Sequence, residues 1–231
     1  MNSFEKYYKE KLYPIQDGVF KIVNGLNLPF YLTDGTALSR FYFNHRYSDD
    51  LDFFVNEDPK YKVYIKSFIE YFNNPNLKIN FELNIERTVI TDNFSQFFVY
   101  QGDAELKIDF VNDLPLRFGD VIFDGHFGKV DNLENILSNK ISALYRFEIK
   151  DYVDIWFIAK NYKFNWRELI NKAKQKEGTV DPLEIFNLFK SFPFDSLNAV
   201  KWVKPIDYNK IKDDFYMLAE DIVNGSNNSL S

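Results

Sequence analysis

The chain has 231 residues, no cysteine and only two histidines, His45 and His126. Disulfide scaffolds, cysteine nucleophiles and thiolate metal sites are therefore excluded, and a Ser-His-Asp triad or a multi-histidine metal site would have to use those two rings. A net charge of −6 argues against a generally basic nucleic-acid binder.

The N-terminal stretch MNSFEKYYKEKLYP is charged throughout and lacks an apolar signal core. No apolar run approaches the roughly 20 residues of a membrane helix. The expectation is a cytoplasmic protein with no membrane partner. Residues 4–24 are predicted helical. Residues 29–33 read as a short strand, followed by a turn at Asp34-Gly35 and a helix over 36–43. A second strand is expected at 51–55. Helical spacing over 61–72 stops near Asn73-Asn74-Pro75. Residues 80–90, 95–101 and 105–112 are rich in β-branched and aromatic residues and read as three further strands. From Asn132 the pattern changes. Leu133, Ile136, Leu137, Ile141 and Leu144 recur at three and four, and 152–159, 182–189 and 207–222 continue as helices. The polar tail 224–231 is predicted to fray. These elements give an α+β fold: a mixed sheet flanked by helices over 1–131, followed by a helical C-terminal lobe over 132–231 that completes a cleft.

The chemistry is concentrated in carboxylates. In YSDDLDFFV (47–55), strand alternation points Asp50 and Asp52 to one side and Leu51 and Phe53 into the core. Two adjacent carboxylates repel and raise each other's pKa. A divalent cation removes that cost, and Mg²⁺ favours carboxylate oxygens together with substrate phosphates. A solvated acidic strand end explains a bare D-x-D equally well. In ELKIDFVN (105–112), Lys107 and Asp109 share the face opposite Leu106, Ile108 and Phe110. If that strand neighbours 51–55, Asp109 completes a triad of acids. Upstream, YLTDGTAL (31–38) places a glycine turn between a strand and a helix start, where free N–H groups and the helix dipole favour an anion. It can also be a plain turn with Asp34 or Thr36 as N-cap. Lys140 falls on an apolar helical stripe, so it needs a phosphate or carboxylate partner or must snorkel outward. Asp151 and Asp154, one turn apart, are candidates to orient it. Lys172, Lys174 and Lys176 form a small basic cluster that a solvated helix face also explains.

The run DGTAL at 34–38 followed by HRYSDDLDFF at 45–54 resembles the AbiEii/AbiGii toxin family of nucleotidyltransferases, within the polymerase-β-like superfamily. That family carries GGTAL and then H-R-x-S-x-D-L-D-F-F. Its later K-x-x-A-L-x-x-R…K/R-D-x-x-D pattern is similar to Lys140, Ala143, Leu144, Arg146, Lys150, Asp151 and Asp154, with different spacing at the arginine. The resemblance covers about residues 30–160 and implies transfer of an NMP from an NTP to an acceptor hydroxyl. It implies Asp50, Asp52 and Asp109 as ligands of Mg²⁺ or Mn²⁺ and, with Lys140, as the catalytic set. Gly35, Thr36, Ser48, Lys140 and Asp154 would contact the nucleotide. It further implies a toxin of a toxin–antitoxin or phage-defence system, with a cognate antitoxin as partner and tRNA, a protein or a small molecule as acceptor. The chain departs at Asp34, where the family usually has glycine. A carboxylate beside a triphosphate is repulsive unless it is metal-bridged or turned away. The alternative expectation is accordingly a catalytically degenerate fold that binds a nucleotide or a protein.

Overall fold

In the computed structural model, which describes residues 3–74 and 79–231, the chain divides into two units, Met1–Asp131 and Asn132–Ser231. The first unit opens with α1 (Ser3–Tyr7), a π-helical turn (Tyr8–Leu12) and α2 (Tyr13–Gly25), which run on from one another. Pro14 lacks the N–H that would bond four residues back, and the helix widens into its π turn just before it. β1 (Tyr31–Thr33), α3 (Asp34–Thr36), a second π turn (Ala37–Tyr42), β2 (Asp50–Asn56) and α4 (Tyr61–Phe72) follow. The sheet is completed by β3 (Glu82–Leu83), β4 (Val89–Ile90), β5 (Phe94–Gln101), β6 (Ala104–Asp113), β7 (Ile122–Asp124) and β8 (Gly128–Val130).

Strand order is β3-β5-β6-β2-β1-β8-β7, with β4 paired to β5. β2 runs parallel to β6 and antiparallel to β1, while β5 runs antiparallel to β6. Alternation decides which face is packed. Leu51 and Phe53 of β2, Phe97 and Val99 of β5, and Leu106, Ile108 and Phe110 of β6 are all at most 1% exposed. Phe68 of α4 covers this layer, its ring 4.9 Å from Phe110, which stacks 5.3 Å from Phe53. The opposite face keeps the half-buried polar residues of the same strands, the candidate site residues among them.

The α+β class is as expected, but two details of this unit differ from the sequence reading. The continuous strand expected over 80–90 is broken into β3, a 3₁₀ turn (Ile85–Arg87) and β4. The cause is Asn84, whose side-chain oxygen accepts from the Arg87 N–H at 3.2 Å and caps the turn. The β7–β8 hairpin was not anticipated. Its turn is organised by Asp124 Oδ1, which accepts from the His126 and Phe127 N–H groups at 2.8 Å each. Pro75, named above as a helix stop, lies outside the described residues.

The second unit is helical: α5 (Leu133–Ala143), α6 (Ile149–Asn161), α7 (Trp166–Lys176), α8 (Pro182–Lys190) and α9 (Tyr208–Asn224). Asn132, Asn165, Asp181 and Asp207 cap four of these with side-chain oxygens. The expected fraying of the tail is overturned. Asn228 is buried, and its Nδ2 donates to the carbonyls of Ala159 at 2.6 Å and Tyr162 at 3.0 Å, while its N–H reaches the Phe164 carbonyl. The lysine cluster is partly consumed internally. Lys172 pairs with Glu134, and Lys176 donates to the Asn135 and Asn139 side chains. Among the described residues no helix is long and apolar enough to cross a membrane.

Candidate active site

The turn between β1 and α3 is set by two residues with different demands. Asp34 has φ +55, the left-handed region that costs most residues but that Asp and Asn tolerate. Gly35 is required by space: a Cβ there would lie 2.7 Å from Arg46 Nη2 and 2.9 Å from Ser48 Oγ. Thr36 then ties the turn to the sheet, its hydroxyl donating to the Asp50 carbonyl at the start of β2. Arg46 is buried with Nη1 donating to the Tyr47 carbonyl at 3.0 Å, and Gln16 of α2 donates to the Ser48 carbonyl at 3.2 Å. The approach of the chain to β2 is thus held from both sides.

Register then aligns the acids. Asp52 pairs with Thr33 of β1 on one side and with Asp109 of β6 on the other, and Asp109 pairs with Gln96 of β5. Adjacent strands are about 4.8 Å apart, so this is one polar row across four strands. One step along, Asp50 pairs with Lys107. Lys107 Nζ lies 3.3 Å from Asp50 Oδ2 and 3.1 Å from Asp109 Oδ2. The other Asp109 oxygen accepts from Gln96 Nε2 at 2.9 Å. Asp52 has no hydrogen-bond or ion-pair partner among the described residues. Its neighbour Thr33 turns its hydroxyl away, to Asp131 Oδ2 at 2.8 Å. Burial, then the charges of Asp34, Asp109 and Asp50, push the Asp52 carboxyl up to about 8, against a smaller opposing effect of Lys107. The Lys107 ammonium is held in its charged form above the usual lysine range, since its carboxylate neighbours outweigh its burial.

Asp50, Asp52 and Asp109 therefore share one face, with Gly35, Thr36 and Ser48 in the turn beside β2. The remaining residues named from the sequence, Lys140 and Asp154, belong to the C-terminal unit. Lys140 does not snorkel. It is buried, with Nζ 2.6 Å from Asp151 Oδ1 and 3.0 Å from Asp154 Oδ2. The second Asp151 oxygen accepts from Arg146 Nη2 at 3.2 Å. Sequence reasoning gave no role to Arg46, Gln96 or Lys107. Arg46 stood inside a quoted motif, and the other two become visible only once β5, β6 and β2 are known to be neighbours.

The donor type in this row is the one that Mg²⁺ takes. All candidate ligands are hard carboxylate oxygens, and Asp52 is an unpaired acid whose charge its neighbours disfavour, which a bound cation would reverse. Two crystal structures from Helicobacter pylori have a similar fold. That of JHP933 has a TM-score of 0.63 and 19% identity over 92% of this chain and 90% of its own. The second, described only provisionally as a nucleotidyltransferase, gives the same TM-score and identity over 92% of this chain and 95% of its own. No curated protein matches the chain significantly. The family model described as "Nucleotidyl transferase AbiEii toxin, Type IV TA system" matches residues 23–224. With that match spanning most of its length and both units, the chain belongs to the AbiEii nucleotidyltransferase toxin family.

Proposed function

We propose that the chain is a metal-dependent nucleotidyltransferase that moves an NMP from an NTP to an acceptor hydroxyl, acting as the toxin of a two-component system. The observation that carries this reading is the row of Asp52 and Asp109 on adjacent parallel strands, with Asp50 one step away and the glycine turn beside it. Asp50 and Asp52, with Asp109, would hold Mg²⁺ or Mn²⁺. When bound, the cation supplies charge stabilisation to the attacking and leaving oxygens of an in-line displacement at the α-phosphorus.

The chain's own residues do the rest. Asp109, oriented by Gln96 and Lys107, presents a carboxylate toward the site and can accept the proton of the acceptor hydroxyl. The backbone at Gly35, kept free of a Cβ, can approach a phosphate closely. Ser48 stands against that turn with its hydroxyl near Gly35. Thr36 keeps the turn in register with β2. Lys140 and Asp154 enter the proposal through the family's sequence pattern, as phosphate-facing cation and its orienting acid. The 3′ hydroxyl of tRNA is the first acceptor to test, and a cognate antitoxin protein is the expected partner.

The test is incubation with each α-labelled NTP, Mg²⁺ or Mn²⁺, and a cell extract. Label should move to a macromolecule that nuclease or protease treatment then identifies as RNA or protein. Transfer should vanish with chelator and in Asp50→Asn and Asp52→Asn. Asp34 favours one alternative, a degenerate fold that only binds a nucleotide or a protein. Nucleotide binding that needs no metal and survives Asp52→Asn, with no label transferred, would establish that alternative instead.

A further inference from the structure

The three acids of the row are unequally served. Asp50 and Asp109 share an ammonium, and both Asp109 oxygens are occupied by protein donors. Asp52, on the β1 side, has no partner among the described residues, and its strand neighbour Thr33 is committed to Asp131. Lys107 reaches this position because β6 alternates: Leu106 and Ile108 are fully buried on one face, which sends Lys107 and Asp109 to the other. Its side chain is about a third exposed, so water was open to it, yet the ammonium lies between two strands' carboxylates. A divalent ion bridging the same two oxygens at about 2.1 Å would stand no more than about 5.2 Å from the ammonium, by the triangle through Asp109 Oδ2. Ion and ammonium thus compete for the Asp50–Asp109 pair.

We propose that Lys107 is a resident cation of this site, standing in for one of the two metal ions that a two-metal displacement would use, so that the carboxylate row loads a single divalent ion on the Asp52 side. The inference rests on the nucleotidyltransferase reading above and concerns how that reading's cation site is built. Lys107 is then a positioning residue: it holds Asp109 as a proton acceptor and keeps that end of the row closed to metal. In place of the three-acid set given above, Asp50 and Asp52 are then the carboxylate ligands, Asp50 through the oxygen that Lys107 does not contact, and Asp109 keeps only its role as proton acceptor.

The test counts ions rather than turnover. Bound Mn²⁺ is measured by electron paramagnetic resonance on the full chain, alone and with the four α,β-methylene NTP analogues. Wild type should hold one Mn²⁺, and so should Lys107→Arg, which keeps a cation in place. Lys107→Met, which keeps the stem and removes the charge, should hold two, a twofold rise in bound Mn²⁺. Two ions in wild type would overturn the inference, and if both were lost in Asp52→Asn the nucleotidyltransferase reading would still stand. An unchanged count of one in a folded Lys107→Met would also overturn it. No Mn²⁺ on any of the proteins would sink both the inference and the metal-dependent reading. Should Lys107→Met fail to fold, Lys107→Gln takes its place, and the same two counts decide: two ions support the inference and one overturns it.

Discussion

Asp52→Asn should stabilise the metal-free protein, and increasingly so as the pH rises. Asp52 is an acid whose carboxyl is pushed up to about 8 from an ordinary 3.8. Between those values the folded chain holds a proton that the unfolded chain has released, so stability falls as pH rises from about 4 to about 8. At about 1.4 kcal/mol per pH unit the whole interval bounds the effect at about 6 kcal/mol. The repulsion on Asp52 is spread over Asp34, Asp50 and Asp109 and opposed by Lys107, so about a third of that bound, ~2 kcal/mol, is the working figure. For a chain of this length that corresponds to about 4–8 °C in Tm. The assay is thermal unfolding of wild type and Asp52→Asn from pH 5 to pH 8 in chelator, then with Mg²⁺. The variant's advantage should widen by that amount toward pH 8, and Mg²⁺ should raise the wild type alone. A gap that stays constant across the range would refute the reasoning, since it would mean that Asp52 does not titrate there.

The other expectations concern separate parts of the molecule. Lys140→Met leaves Asp151 and Asp154 buried without their cation and should cost about 3–5 kcal/mol in urea unfolding, part of which Asp154→Asn in the same chain should restore. Asn228→Ala removes the donor to the Ala159 and Tyr162 carbonyls and should cost about 1–3 kcal/mol, read by faster hydrogen exchange at the end of α6. Gly35→Ala forces Arg46 and Ser48 off the turn, at about 1–3 kcal/mol in stability. The same change should lower label transfer about tenfold or more, a kinetic loss of at least ~1.4 kcal/mol. Asp34→Asn keeps a residue that tolerates the left-handed turn while removing a charge that raises Asp52, so the gap between wild type and Asp52→Asn should still open near pH 4 but stop widening at a lower pH. The removed repulsion means Asp52 ionises more easily, so the remaining destabilisation should shrink below the ~2 kcal/mol figure.

What the sequence made legible was set by period and spacing. Strand alternation alone places Asp50 and Asp52 on one side and Leu51 and Phe53 on the other. It also assigns Lys107 to the face of Asp109. Pairing partners are another matter: Asp52 and Asp109 are 57 positions apart, and nothing in either segment states that β2 and β6 run parallel or in which register. The contacts of Gln96 and Lys107 depend on that register, so they stayed hidden. The tail shows a different limit. A polar stretch such as NGSNNSLS reads as solvated because composition does not record which carbonyls elsewhere lack donors. The last turn of α6 and the loop after it leave such carbonyls, and the Asn228 amide satisfies them. Lys140 lay between these cases. Its position on an apolar stripe demanded a partner, and acids eleven and fourteen residues later supply it within the same unit.

Asp34 separates two requirements that a glycine would meet together. The backbone at this position needs a left-handed residue, and Asp meets that need at less cost than most side chains. A glycine would add nothing to the electrostatics, whereas the Asp34 carboxylate adds to the repulsion on Asp52. The turn geometry is thus kept while the field beside it becomes more negative. A bare triphosphate is disfavoured by that field, and a cation is favoured by it. On the proposed reading, cation and nucleotide would then arrive together, with no free nucleotide bound first. With Lys107 compensating Asp50 and Asp109 and Asp34 adding to the repulsion at the other end, the least compensated carboxyl of the row is Asp52, which the fold leaves without a partner among the described residues.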